Sequence, residues 1–321
     1  MTTFSFNNLF PDASTAQCNG CGVCMLSCPV WMQHRTPALT SCGRTRAVQD
    51  GAPEAELALS ARTCILCGSC EALCPRDLRT LQATMRIRSM NARTTNAVKD
   101  RKRTGKRSSG RVLLAGQAMQ RDPKLLNLVL SLIGTGATSV ADDDGRDIVA
   151  AIETGAGLSD ERIADFISNL SGASEVVLAD GLLFSLLEPL LPKTARLRSV
   201  SELLLMNPDV RAGIRPTDLY IIETRSYNLR WSTMVTFYDK LRAETGCSMN
   251  LDLQRVATPT GSLGMRYRRA LPSFVAPEKQ IAWLLEGRDP DRVIVEHPDD
   301  RVAFELHASL SVVHLAEVVR S

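Results

Sequence analysis

The stretch CILCGSCEALCP, from Cys64 to Pro75, decides how this chain is read. It has the form C-x2-C-x2-C-x3-C-P, and the same form stands earlier in CNGCGVCMLSCP, from Cys18 to Pro29. Eight of the ten cysteines lie in these two stretches; Cys42 and Cys247 are the others. Three thiols at intervals of three wrap one short loop. The fourth points away at the start of a helix, and the proline after it turns the chain.

Two uses of such thiols fail on this sequence. A disulfide framework needs an oxidising compartment. The opening MTTFSFNNLF has no basic flank followed by an apolar core and no twin arginine, so a chain kept in the reducing cytoplasm is expected. Zinc sites use two ligand pairs across a longer loop, and no histidine stands at zinc spacing. Two copies of the form point to two 4Fe–4S clusters. Gly20, Gly22 and Gly68 let the backbone approach the sulfides.

The pattern resembles that of two-cluster ferredoxins, in which the fourth cysteine of each copy ligates the other cluster. The resemblance implies Cys18, Cys21, Cys24 and Cys74 on one cluster and Cys64, Cys67, Cys70 and Cys28 on the other. Helical patterns in EAELALSARTC, between the copies, and DLRTLQATMRIRSM, after them, resemble an α-helical ferredoxin domain rather than a compact β-hairpin one. That domain occurs in heterodisulfide reductase small subunits and in the iron–sulfur subunits of glycolate, lactate and anaerobic glycerol-3-phosphate dehydrogenases. Cys42 has no place in the scheme and is expected to be a packed thiol.

Length and charge set the frame. A chain of 321 residues suggests two or three domains, and 44% hydrophobic with 23% charged residues is ordinary for a globular protein. No apolar run approaches the 18 residues of a membrane span. From Arg86 to Arg111, ten Lys or Arg face one Asp, a net +9 that leaves −6 for the rest of a chain of net +3. This segment is expected to be a self-repelling linker. A partner protein or an anionic membrane face is the functional alternative. Nucleic acid is not expected, because no aromatic residue interleaves the charges.

After Arg111, apolar runs (RVLLAG, EVVLAD, DLYIIET, RVIVEH) alternate with helical patterns. DPKLLNLVLSLIGTG has an N-cap in Asp122 and a proline at its first position. Alternation predicts α/β structure with mainly parallel sheets, and two similar halves predict a duplication. The expected class is α+β multidomain: an α-helical dicluster domain over 1–90, a basic linker over 91–111, and α/β repeats over 112–206 and 207–321.

The order is similar to the duplicated Cys-Cys-Gly domain of the same families, whose cysteines hold a further, substrate-reducing cluster. Here those positions fall on Glu153, Thr154 and Gly155, then Asp180 and Leu183, in the first half, and on Pro259, Thr260, His297 and Asp300 in the second. The family's His-x-x-Cys-His segment appears as ETRSYNLR. Without thiolates that centre is expected to be missing, and no catalytic residue is assigned. Cys247 is expected to be buried packing. His297, Asp299 and Asp300 suit a helix N-cap with acids on its dipole, or less simply a metal or proton-transfer site. Arg225, Tyr227 and Arg230 suit ligand or partner contacts, or a surface turn. Gly145, Gly155 and Gly157 form no phosphate-binding fingerprint.

The resemblance implies an electron-transfer iron–sulfur subunit of an oxidoreductase complex. It would pass single electrons between a partner, a flavoprotein dehydrogenase, and a quinone or other acceptor. The expected location is the cytoplasm, or the inner face of the membrane as a peripheral partner. The alternative is a catalytic subunit with a substrate or flavin site in the altered C-terminal half. A nucleic-acid-binding role for the basic segment ranks last.

Overall fold

The computed structural model describes residues 17–90, 107–134, 138–265 and 274–320. Most of the basic linker, 91–106, lies outside the described residues.

Short helices build the cysteine-bearing part: Pro29–His34, Ser41–Gln49, Ala58–Thr63, Ser69–Ala72 and Thr80–Met90. Pro29 stands at the first position of its helix, where its missing N–H is no loss. Thr40 caps Ser41–Gln49 by accepting from the Gly43 N–H. That helix presses on the preceding turn so closely that a Cβ on Gly43 would lie 2.1 Å from the Pro37 carbonyl oxygen.

Two four-stranded parallel sheets follow. The first joins β1 (Gly110–Leu114), β2 (Thr138–Val140), β3 (Ala173–Leu178) and β4 (Arg196–Ser199) in the order β2-β1-β3-β4. The second joins β5 (Asp218–Ile221), β6 (Ser248–Met249), β7 (Arg292–Val295) and β8 (Ser311–His314) in the order β6-β5-β7-β8. The two orders are the same, as the alternation in sequence leads one to expect. The central strands carry near-continuous apolar runs, such as Val176–Leu178 and Val293–Val295, because helices cover both faces of a parallel sheet. β1 opens at Gly110, inside the stretch assigned to the linker, and Arg111 already pairs with Glu175. Asp122 accepts from the Leu125 N–H at 3.0 Å, as the sequence predicts for the cap of Pro123–Gly134.

The three parts share their cores. Leu66, Leu81 and Met85 from the cysteine-bearing part pack into one cluster with Val112, Val176 and Leu178 of the first sheet. Each such buried side chain contributes about 1.5–3 kcal/mol. A second cluster joins Leu113 and Val177 of the first sheet to Tyr220 and Ile222 of the second repeat. Glycine sets the approach at two of these joints. A Cβ on Gly155 would lie 2.5 Å from the Arg88 carbonyl oxygen, and one on Gly181 would lie 2.1 Å from the Ser226 nitrogen. Among the described residues no helix is long and apolar enough to cross a membrane.

Candidate iron–sulfur cluster site

The two cysteine loops share a backbone path. Gly20 and Leu66, at the same place in their copies, both take positive φ, 72° and 55°. Gly22 and Gly68, one place past the second cysteine, follow with 75° and 79°. Each of the latter caps a short helical turn that carries the third cysteine, Val23–Met25 and Ser69–Ala72. Left-handed backbone suits glycine but costs another residue roughly 1–2 kcal/mol. Leu66 keeps it while fully buried in the apolar core.

Cys64, Cys67 and Cys70 of the second copy line one cavity with Cys28, the fourth cysteine of the first copy. The four thiols thus face one space, drawn from both copies. Burial pushes the Cys28, Cys67 and Cys70 thiols up to about 12. Donors face their sulfurs. The Leu66 N–H reaches Cys64 Sγ at 3.4 Å, the Thr80 hydroxyl donates to Cys70 Sγ at 3.2 Å, and the Ser69 hydroxyl lies 3.3 Å from Cys67 Sγ. The Val30 and Trp31 N–H groups bond Cys28. Buried thiols are strained toward the neutral form by their surroundings, yet every one is met by a donor that favours the anion.

Arg44 lines the same cavity. It is buried and bonds the carbonyls of Leu39 and Ser60 and the Thr84 hydroxyl, but it ion-pairs with no carboxylate among the described residues. A buried cation without a counter-charge is costly. Four thiolates around a 4Fe–4S cluster carry net negative charge, so the donor set and the arginine both fit such a group. All ten cysteines are free of disulfides. Among the described residues, no three His, Cys, Asp or Glu side chains converge to hold a single metal ion.

The first loop is more open. Cys21 is exposed, while Cys18, Cys24 and Cys74 are half-buried. The helix Ser41–Gln49 runs beside it: Gln49 Nε2 and Arg46 donate to the Cys18 carbonyl at 3.0 and 3.4 Å. Arg76, two residues past Cys74, donates to the Gln17 carbonyl at 3.5 Å and so ties the end of the second copy to the start of the first. Burial is the main cause raising the Cys24 thiol, and Cys70 of the other loop adds to it; the two loops therefore adjoin at this pair. Cys42 is a packed thiol, as expected, but it packs against the Cys24 thiol in the first loop, which no spacing rule announces.

The C-terminal candidates resolve differently. His297 caps the helix Pro298–His307, its Nδ1 accepting from the Asp299 N–H at 3.1 Å. Asp300 accepts from the Thr260 and Ser262 hydroxyls at 2.5 and 2.6 Å, and burial pushes its carboxyl up to about 6. The N-cap reading therefore stands. Cys247 is buried beside Thr245. Tyr227 donates to the Arg255 carbonyl, and Arg230 pairs with Glu202 while stacking 3.8 Å over the Phe184 ring.

Arg225 corrects the surface-turn reading. It is 1% exposed and pairs with Glu153 at 2.5 Å and Asp180 at 3.3 Å. Its Nε and Nη2 donate to the Leu66 and Ile65 carbonyls at 3.1 and 3.2 Å. Glu153, Asp180 and Arg225 thus form a buried charge network.

Residues 17–79 match the family model described as a 4Fe-4S dicluster domain. No curated protein and no solved structure matches the chain. The match and the two loops define an iron–sulfur protein, in which 4Fe–4S binding belongs to the N-terminal part and supports an electron-transfer role.

Proposed function

We propose that this chain is the electron-transfer iron–sulfur subunit of an oxidoreductase complex. Cys18, Cys21, Cys24 and Cys74 would hold one 4Fe–4S cluster, and Cys64, Cys67, Cys70 and Cys28 the other. Each cluster supplies a one-electron couple when bound. The carrying observation is the cavity that Cys28 shares with Cys64, Cys67 and Cys70, with Cys24 of the first loop set against Cys70. It supports two cofactors held side by side, the arrangement a relay needs. The exposed Cys21 side offers the outer end, and the buried loop the inner one. Thr80, Ser69 and the Leu66 N–H hold the thiolate form by hydrogen bonds, and Arg44 offsets its charge. The partners we assign are a flavoprotein dehydrogenase and a quinone or other acceptor, with the chain in the cytoplasm or peripheral on the inner face of the membrane. Protein purified anaerobically should carry about eight irons. It should mediate reduction of an acceptor only when a partner is added. A chain with far fewer irons would sink the proposal.

A second reading has one observation in its favour. A cleft lies outside the carboxyl ends of β1 and β3, lined by Gly116, Asp144, Arg146, Asp180, Leu183 and His297. The sheet order reverses between those strands, the usual place for a ligand in open α/β sheets. A substrate or flavin seated there would make this the catalytic subunit. A bound flavin, or a substrate-dependent change in cluster spectra of this chain alone, would favour it.

A further inference from the structure

Four successive carbonyls of the second cysteine loop are each held by a side chain from outside the loop. Arg88 takes the Cys64 carbonyl. Arg225 takes those of Ile65 and Leu66. Asn228 Nδ2 takes that of Cys67 at 3.0 Å and also meets the Ser69 hydroxyl at 3.1 Å, the same hydroxyl that faces Cys67 Sγ. Arg225 and Asn228 both belong to the short helix Thr224–Asn228 of the second repeat, far along the chain. Both are at most 2% exposed.

This grip has a geometric use. A loop whose carbonyls are bound outward is free to turn its N–H groups inward, and the Leu66 N–H does reach Cys64 Sγ. The first loop keeps its left-handed turn with Gly20; the second keeps it with Leu66, whose backbone cost must be met by its surroundings. Arg225 is itself locked by Glu153 and Asp180 of the first repeat, and Glu223 caps its helix by accepting from the Arg225 and Ser226 N–H groups. Gly68 also lies under this helix, where a Cβ would come 3.0 Å from Leu229 and 3.2 Å from Asn228. The second repeat meets the first loop through the Ser27 hydroxyl, which donates to Asp252 beside Cys28, but among the described residues no side chain of the α/β repeats takes a carbonyl of that loop.

We infer that Arg225 and Asn228 are positioning residues for the second cluster, so that this cluster is held only while the second repeat is docked. The first cluster, in whose loop the Cys18 carbonyl is held by Arg46 and Gln49 of the cysteine-bearing part, does not depend on these two residues. The inference rests on the two-cluster reading above and gives the cysteine-poor half of the chain a part in cofactor binding.

The test uses the full chain, purified anaerobically, with iron content and the electron paramagnetic resonance of the reduced protein as readouts. Arg225→Lys keeps the charge but loses the fork that spans two carbonyls. Asn228→Ala removes one donor and leaves no charge unpaired, so it decides the matter if Arg225→Lys does not fold. The expected result is a fall from about eight irons to about four in a folded chain, with the signal of two interacting clusters replaced by that of one. Folded variants that keep the wild-type iron content and spectrum would overturn the inference, as would a parallel loss of both clusters, which a merely structural role would give. Wild-type protein that lacks two clusters would instead fail the underlying reading.

Discussion

The Thr80 hydroxyl donates to Cys70 Sγ across 3.2 Å, from the first residue of the helix Thr80–Met90 to the third cysteine of the second loop. A hydrogen bond to a cluster sulfur stabilises the more negative, reduced state and so raises the potential. Thr80 also bonds the Thr84 hydroxyl through its carbonyl, which a valine would preserve. Thr80→Val should therefore lower the potential of one cluster by tens of millivolts, since a tenfold change in a one-electron equilibrium is about 59 mV. The other cluster should keep its value. A redox titration followed by electron paramagnetic resonance reads both, and an unchanged pair of potentials would contradict the assignment.

The crossed ligation proposed for the two clusters makes a prediction that uncrossed ligation does not. Cys28→Ser and Cys64→Ser, although in different copies of the motif, should deplete the same cluster and give the same residual spectrum. Cys18→Ser and Cys74→Ser should leave the opposite one. Each variant should lose up to about four of about eight irons. If Cys28→Ser matches Cys18→Ser instead, each motif holds its own cluster.

Much of this was legible in sequence because it rests on local rules. Cysteine spacing, Asp122 at a helix start and apolar runs of strand length each act over a few residues. That Cys28 lines one cavity with Cys64, Cys67 and Cys70 is a fact of the fold, because two distant loops must meet to make it. Arg225 was misread because nothing local separates a buried arginine from an exposed one; its partners are Leu66, Glu153 and Asp180, all remote in sequence. Arg44 and Arg88 are hidden in the sequence for the same reason; Arg88 falls within the basic segment yet is 4% exposed. Cys42 was read as packing, but what it packs against could not be read.

Buried acids in the second repeat make stability depend on pH. Burial raises Asp300 to about 6 and Glu296 to about 7. A carboxyl with a raised folded pKa binds its proton more tightly in the folded state. Its contribution is fully present below the unfolded pKa, near 4, and is lost as pH rises through the folded value. The stability these two acids contribute should therefore fall between pH 4 and 7, partly offset by His314, whose imidazole burial lowers to about 4. Asp300→Asn keeps an acceptor for Thr260 and Ser262 and should flatten part of that fall, worth on the order of 2–3 kcal/mol as an upper bound. Urea midpoints measured across this range read the effect; parallel curves for the variant and wild type would contradict it.

Leu66 tests the loop backbone against its packing. Truncation to alanine removes a buried side chain and should cost about 2–5 kcal/mol. Glycine removes slightly more and normally costs a further 0.5–1 kcal/mol or so through chain entropy. At φ 55°, however, alanine pays a left-handed penalty of roughly 1–2 kcal/mol that glycine does not. Leu66→Gly should thus be no less stable than Leu66→Ala, the reverse of the usual ranking. At the matching place in the first loop, where φ is 72°, Gly20→Ala should cost about 1 kcal/mol. Thermal unfolding of the three variants, each loaded with cofactor, gives the order. An alanine at position 66 clearly more stable than glycine would mean that the second loop does not share the backbone path of the first.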